Sequence, residues 1–121
     1  MLYFVSGPVN MEFADGILDN WHLEAYNNSD SVVPVTLKLF DINGVSTIYI
    51  GSTSRDVNPH SHEYMSLSTN GVHHTIAQVE YPQGYGDILL TLYGRDRNGR
   101  ALPGAIFFNH QLIELQNEIK A

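Results

Sequence analysis

Hydrophobic and polar residues alternate along most of this chain, at the two-residue period that places every second side chain on one face of a β-strand. The alternation comes in separate runs, and clusters of Gly, Pro, Asn, Asp and Ser stand between them. The runs are Val9 to Phe13, Ile17 to Tyr26, Val32 to Phe40, Val45 to Ile50, His62 to Ser68, Val72 to Tyr81, Asp87 to Gly94 and Ala101 to Asn109. The pattern predicts roughly eight strands with little helix.

Two of the breaks between runs have the same residues. Asp41 to Gly44 and Asp96 to Gly99 both read Asp-x-Asn-Gly, and each joins an alternating apolar run to a second β-rich run. Asn-Gly is the dipeptide that accepts the positive φ angles of a tight hairpin turn. We therefore predict antiparallel hairpins and an all-β fold: a single antiparallel β-sandwich of jelly-roll or immunoglobulin-like type.

Two segments are less regular. The stretch from Gly51 to Ser61 contains a proline and several small polar residues, and we predict a surface loop there. Near the end of the chain Leu112, Leu115 and Ile119 would share a helical face, whereas residues 112–116 also alternate as a strand. We favour a last strand with a frayed tail, because a sandwich of this kind still needs an edge partner.

Length and composition exclude several classes of protein. The 121 residues suffice for one core, and a net charge of -7 repels phosphate backbones, so we expect no nucleic-acid partner. The chain has no cysteine, which excludes disulfides and cysteine nucleophiles. No apolar run is long enough for a membrane span, and the first residues lack the features of a secretory signal. We therefore expect that the protein does not insert into a membrane. It is either used without classical export, or the sequence is that of a processed form.

The histidines raise the possibility of a metal site. His60 and His62 would point to one face of a strand next to Glu63, and this pair resembles the histidine pair of the cupin motif. In cupins a glycine precedes the pair by a short fixed spacing and a glutamate follows several residues later; here Gly51 is too distant and Glu63 too close. We therefore expect solvated histidines without a metal or other cofactor. No complete catalytic motif occurs, so we predict a protein that is not an enzyme.

Aromatic residues near a turn suggest carbohydrate binding as an alternative function. Tyr81 and Tyr85 flank the turn at residues 82–84, and Trp21 lies on a predicted strand. Exposed aromatic rings at such positions could stack on sugar rings. In the opposite interpretation Trp21 and Tyr81 pack in the core or at its rim, and only Tyr85 is exposed.

The N-terminus is apolar and uncharged. Its β-favouring residues are Leu2, Tyr3, Phe4 and Val5. Ser6, Gly7 and Pro8 follow as a hinge, and such an end is prone to aggregate unless it pairs with something. It is either an ordinary first strand of its own sheet or an arm that adds a strand to a neighbouring subunit. We predict an arm at residues 1–8 and a sandwich domain at residues 9–121.

The order of turns and runs resembles a class of assembly proteins. Asn27-Asn28-Ser29 precede the run from Val33 to Leu37, and the two Asp-x-Asn-Gly hairpins follow. In this pattern the chain resembles the small β-sandwich subunits of bacterial surface fibres, spore appendages and phage particles. Spore appendage subunits crosslink their terminal arms through cysteines, and the lack of cysteine excludes a covalently linked arm here.

The resemblance implies a non-enzymatic structural subunit. It would assemble with copies of itself through sheet edges and the N-terminal arm, on a cell, spore or virus-particle surface. A carbohydrate-binding module that takes a glycan is the first alternative, and a cupin-like metal enzyme is the second.

Overall fold

The computed structural model confirms the all-β prediction. About 60% of the residues lie in strands, and two antiparallel sheets pack together as a sandwich of about ten strands. The structure describes residues 1–10, 12, 13 and 16–121, and of Glu12, Phe13 and Gly16 only the backbone. The predicted alternation at Met11 therefore lies outside the described residues.

The strand bounds follow the predicted runs closely. In chain order they are β1 (Leu2–Val5), β2 (Val9–Asn10), β3 (Glu12–Phe13), β4 (Gly16–Ile17), β5 (Asn20–Asn27), β6 (Val33–Asp41), β7 (Ile48–Val57), β8 (Ser61–Ser68), β9 (His74–Tyr81), β10 (Ile88–Arg95), β11 (Ala101–Phe108) and β12 (Ile113–Leu115). A short 3-10 helix, Asn109–Gln111, precedes β12. The predicted final strand is thus confirmed at Ile113–Leu115, and residues 116–121 follow it as a tail.

The strands form two main sheets. The larger sheet has the order β12-β1-β9-β6-β7, with β2 also paired to β9, and the smaller has the order β11-β10-β5-β8. Strands β3 and β4 pair with each other as a separate two-stranded ribbon. The chain therefore crosses between the sheets several times, and residues far apart in sequence become neighbours.

The core lies between the two sheets because alternate residues of each strand are apolar. The larger sheet contributes Leu37, Leu39 and Val79, and the smaller contributes Leu23 and Leu92, all fully buried. Removing such side chains from water supplies most of the favourable free energy of folding.

A buried hydrogen bond of Trp21 spans this core. Trp21 of β5 is 0% exposed, and its Nε1 donates to Oγ1 of the buried Thr75 of β9 at 2.9 Å. The Trp21 ring also lies 6.1 Å from the ring of Phe107 on β11. Trp21 therefore holds the two sheets together through both packing and a satisfied polar contact.

The predicted surface loop at residues 51–61 is wrong for most of its length. Residues 51–57 belong to β7, which pairs with β6 from Val33 to Asp41, and only residues 58–60 form a turn. Thr36 and Ser54 even share a side-chain hydrogen bond of 2.7 Å across the pair. The segment is polar because β7 is an edge strand, whose residues need no buried face. Its alternation is too weak to identify the strand from sequence.

The two Asp-x-Asn-Gly segments do join antiparallel strands, but not with the predicted turn geometry. In the first, neither Asn43 nor Gly44 has a positive φ angle, and the Asp41 carboxylate accepts a hydrogen bond from the Asn43 amide. In the second segment Gly99 has a positive φ angle, 79°, whereas Asn98 does not. Aspartate side chains therefore organise these turns.

The pair with two positive φ angles is Asn70-Gly71, at 54° and 81°. It connects β8 to β9 across the two sheets, where the Val72 amide donates to the carbonyl of Thr69 at 3.1 Å. The tight turn that Asn-Gly favours is thus used for a change of sheet and not for a hairpin.

Candidate functional site

The N-terminal residues Leu2 to Val5 form β1 inside their own sheet. This strand pairs with β9 on one side and with β12 on the other, so both of its edges are bonded within the chain. The ring of Phe4 stacks on that of Tyr81 with centroids 5.8 Å apart. Of the two interpretations of this segment, the ordinary first strand is the one that the structure describes. A role between subunits stays a prediction.

The structure does not bring the three aromatic residues of the carbohydrate hypothesis together on a surface. Trp21 is in the core, and Tyr81 is only 5% exposed because it packs between β1 and the core. Tyr85 is half-buried against the same core. The interpretation of Trp21 and Tyr81 as packing residues is confirmed, and neither has a free ring face for a sugar.

His60 and His62 each bond to a different carboxylate. His60, at a φ angle of 52° in the turn between β7 and β8, lies 2.8 Å from the carboxylate of Asp30. His62 lies on β8 with its Nε2 2.9 Å from Glu24 Oε1. Within the part of the chain that the structure describes, no group of three or more His, Asp or Glu side chains is placed to hold a metal ion.

The outer face of the smaller sheet gathers side chains that sequence analysis did not connect. Strand pairing sets His22 of β5 opposite Ser66 of β8 and Tyr93 of β10. One step along the same face, Glu24 stands opposite Tyr64. We call the four rings of this face, contributed by three neighbouring strands, the ring cluster: His22, His62, Tyr64 and Tyr93.

The rings of the cluster contact one another in a continuous row. The His22 ring lies 4.9 Å from the ring of Tyr93 and 5.7 Å from that of Tyr64. Tyr64 in turn lies 6.3 Å from His62. Tyr64 is 57% exposed, whereas His22 between its neighbours is only 7% exposed. The row is therefore supported from within and open to solvent at Tyr64.

Glu24 is the acceptor at the middle of the cluster. Its Oε1 lies 2.9 Å from His62 Nε2, and its Oε2 accepts from the Tyr93 hydroxyl at 3.4 Å. The same Oε2 is 4.0 Å from His22 Nε2. One carboxylate thus faces two imidazoles and a phenol, which fixes its orientation on an exposed surface.

A second set of hydrogen bonds fixes the other end of the His22 ring. Arg95 donates from Nη2 to Ser66 Oγ at 2.8 Å and from Nε to Asn20 Oδ1 at 2.9 Å. Ser66 Oγ also lies 2.8 Å from His22 Nδ1. Because a guanidinium only donates, Ser66 accepts from Arg95, and its own hydrogen is free for His22 Nδ1. This arrangement favours a neutral His22 with its proton on Nε2, toward Glu24.

The pKa of His22 agrees with that arrangement. Burial lowers it below the usual histidine value, the charges of Arg95 and His62 lower it further, and only Glu24 acts in the opposite direction. Tyr64, Ser66 and Tyr93 complete the surroundings of the ring, and burial raises the pKa of the Tyr93 phenol.

We predict a pH dependence of stability from His22. Because the pKa of His22 is lower in the folded protein, the His22 of the unfolded chain takes up its proton first as the pH falls below about 6.5. Protonation then favours the unfolded state, so the free energy of unfolding is highest above that pH and decreases below it. Urea midpoints of the native protein should therefore drop more between pH 7 and pH 5 than those of His22→Asn, which cannot titrate. Equal drops in the two proteins would contradict the prediction.

Strand β7 is the second feature with functional potential. The edges of the larger sheet are β7 and β12, and those of the smaller are β8 and β11. β12 has three residues, and β11 contains Pro103, which has no amide hydrogen to donate. β7 has ten residues and β8 has eight, and neither contains proline or lysine; β7 is the longer edge, and it carries the charged Arg55 and Asp56. A register shift near its start leaves Gly51 to Val57 regularly paired.

Comparison with protein-family models, curated proteins and solved structures finds no match for this chain. In the part of the chain that the structure covers, no helix has the length and apolar character that crossing a membrane requires. The candidate sites therefore depend on geometry alone.

Proposed function

We propose that this chain is a non-enzymatic structural subunit that associates with copies of itself through its sheet edges. The observation that supports this most directly is the length of the β7 edge: its ten residues pair with β6 on one side, and no other described strand pairs with them. Unpaired amides and carbonyls along an exposed edge are a template for a further strand.

The backbone groups of β7 that face the free edge follow from the register. The Ile42 amide donates to the carbonyl of His74 at 3.1 Å, so even-numbered residues of β6 bond toward β9. Odd-numbered residues of β6 then bond toward β7. Since Thr36 and Lys38 stand opposite Ser54 and Ser52, the backbone groups of these two serines point away from the sheet.

A second copy of this chain fits the edge in an antiparallel, two-fold arrangement. With Ser54 opposite Ser54, Ser52 of each copy bonds to Asp56 of the other, and Arg55 stands opposite Thr53. No like charges are directly opposed, which matters for a protein with a net charge of -7. Such a pairing is isologous, and contacts at the opposite edge of the sheet would extend it into a longer array.

The N-terminal strand supplies a possible second contact. Gly7 has a φ angle of 77°, a conformation that suits a hinge directly after β1 and Ser6. A β1 strand that leaves its own domain could occupy the same position between β9 and β12 of a neighbour. This exchange would use contacts that the fold already contains.

Ser54→Pro tests the edge. Proline removes the outward amide of residue 54 without removing a bond to β6, so the fold is retained while the edge loses a donor. We expect the native protein to form oligomers by light scattering coupled to size-exclusion chromatography, and Ser54→Pro to shift toward the monomer by about tenfold in dissociation constant. Ser54→Ala is the matched control, because it loses the same hydroxyl but keeps the amide. Its size should match the native protein.

Two outcomes would overturn the proposal. A native protein that is monomeric at all concentrations and forms no fibres in electron micrographs has no self-assembly to explain. Equal oligomerisation of the native protein and of Ser54→Pro, with unchanged circular dichroism, would show that assembly does not use the β7 edge.

A further inference from the structure

We propose that the outer face of the smaller sheet, with Tyr64 and Glu24 at its centre, is a binding site for a neutral oligosaccharide. This inference uses none of the residues of the β7 edge, and it does not depend on self-association. The ring cluster and its hydrogen-bonding neighbours carry it.

The face combines flat exposed rings with fixed polar groups. Tyr64 is 57% exposed, and Tyr26, two residues along β5 from Glu24 and opposite His62, is 38% exposed. The C–H face of a pyranose ring packs on such aromatic surfaces. Two exposed tyrosines thus lie on neighbouring strands of one sheet face.

Hydroxyl groups of a sugar would find partners beside these rings. Glu24 is an acceptor with two oxygens, and His62, whose Nε2 is bonded to Oε1 at 2.9 Å, has its other ring nitrogen, Nδ1, left for a hydroxyl. Carboxylate and imidazole are already oriented by Tyr93 and by each other, so little side-chain freedom is lost on binding. Adjacent hydroxyls of one sugar can then bond to Glu24 and His62 together.

The size of the platform suits a short oligosaccharide. Tyr26 is four positions after His22 on β5, and the three strands β8, β5 and β10 lie side by side. At ~3.4 Å per residue and ~4.8 Å between strands, the platform measures roughly 14 Å by 10 Å. Leu89 and Phe108, both exposed, border it on the side of β10 and β11.

Charge decides between the possible occupants. The chain has 13 acidic and six basic residues, and on this face the Glu24 carboxylate offsets the guanidinium of Arg95, so the face has no surplus of positive charge for an anionic glycan. A second copy bound through the same face would bring two Glu24 carboxylates close together. A neutral sugar meets neither penalty, and it matches the mixture of rings and hydrogen-bonding groups.

Affinity electrophoresis and pull-down on neutral polysaccharides test the proposal. The probes are cellulose, chitin, laminarin and mannan, and the assays use the Ser54→Pro protein so that multivalent binding does not obscure the result. We expect retention on at least one of them. Tyr64→Ala should weaken that retention about tenfold, the change that ~1.4 kcal/mol produces, and Glu24→Gln should also weaken it.

Tyr49→Ala is the matched control, because Tyr49 is an exposed tyrosine on the other sheet. It should leave retention unchanged, and all variants should keep the native circular dichroism spectrum. No retention on any of the four polysaccharides would overturn the proposal, as would equal losses in Tyr64→Ala and Tyr49→Ala. Retention that disappears in high salt would indicate ionic adsorption and would overturn it too. The β7 proposal has its own readout, the oligomeric state, so the two can fail separately.

Discussion

Replacing Trp21 with alanine lowers the free energy of unfolding by about 3–5 kcal/mol, the cost of removing a large buried aromatic side chain. The indole is fully buried between the sheets, next to Phe107. Its loss leaves a cavity and leaves the buried Thr75 hydroxyl without its partner. For a domain whose total stability is of order 5–15 kcal/mol, this is a large part of the whole.

Urea unfolding followed by circular dichroism measures the effect. Trp21→Phe separates the loss of packing from the loss of the hydrogen bond, because phenylalanine keeps much of the packing but cannot donate to Thr75. This variant should lower the free energy of unfolding less than Trp21→Ala does and more than a surface substitution does. Tyr64→Ala is the surface control and should alter stability by less than about 0.5 kcal/mol. If Trp21→Ala unfolds at the same urea concentration as the native protein, the indole does not hold the sheets together.

Deletion of residues 1–6 should leave the domain largely unfolded at room temperature. β1 separates β12 from β9, so its removal eliminates two strand pairings and takes away the strand with which β12 pairs. Ser6 adds two bonds, one from its amide to the Ala77 carbonyl and one from the Ala77 amide to its hydroxyl. Burial of Val5 adds ~1.5–3 kcal/mol, the value for a fully buried aliphatic side chain, and the partly buried Phe4 adds to it.

Circular dichroism and size-exclusion chromatography distinguish the two interpretations of the N-terminus. Deletion of residues 120 and 121, which are both exposed at the other end of the chain, is the control and should leave the fold intact. A synthetic peptide of residues 1–8, added in excess to the truncated protein, should restore native signal by occupying the vacant strand position. That rescue would show that a neighbour's β1 can do the same.

The opposite result is equally informative. A truncated protein that is folded and smaller would support an arm between subunits, and β1 would then contribute little to its own domain. If the truncated protein is folded and its size is unchanged, the N-terminal residues have no role in assembly.

The site was less accessible to sequence reasoning than the fold. His22, Glu24 and Tyr26 alternate on one strand, and His62 and Tyr64 alternate on another, which indicates a polar outer face for each. Nothing in those spacings says that β5 lies between β8 and β10. The rings of His22, Tyr64 and Tyr93 meet only because the sheet order makes these strands neighbours.

The sequence by itself determined those features of the fold that depend on residues close together in the chain. Alternation fixed most strands and which face of each is apolar, since successive side chains of a strand point to opposite sides. Turn residues such as those from Asp96 to Gly99 indicated where the chain reverses, and the number and spacing of the runs indicated a sandwich.

Tertiary structure alone decided what depends on partners distant in the chain. It made a strand of the polar residues 51–57, because β6 offered them backbone bonds, and it placed β1 between β9 and β12. It buried Trp21 and Tyr81, which local pattern could equally have left exposed. The physical reason is common to all three: backbone pairing and burial between sheets are interactions over long sequence separations, and no local spacing encodes which strands will meet.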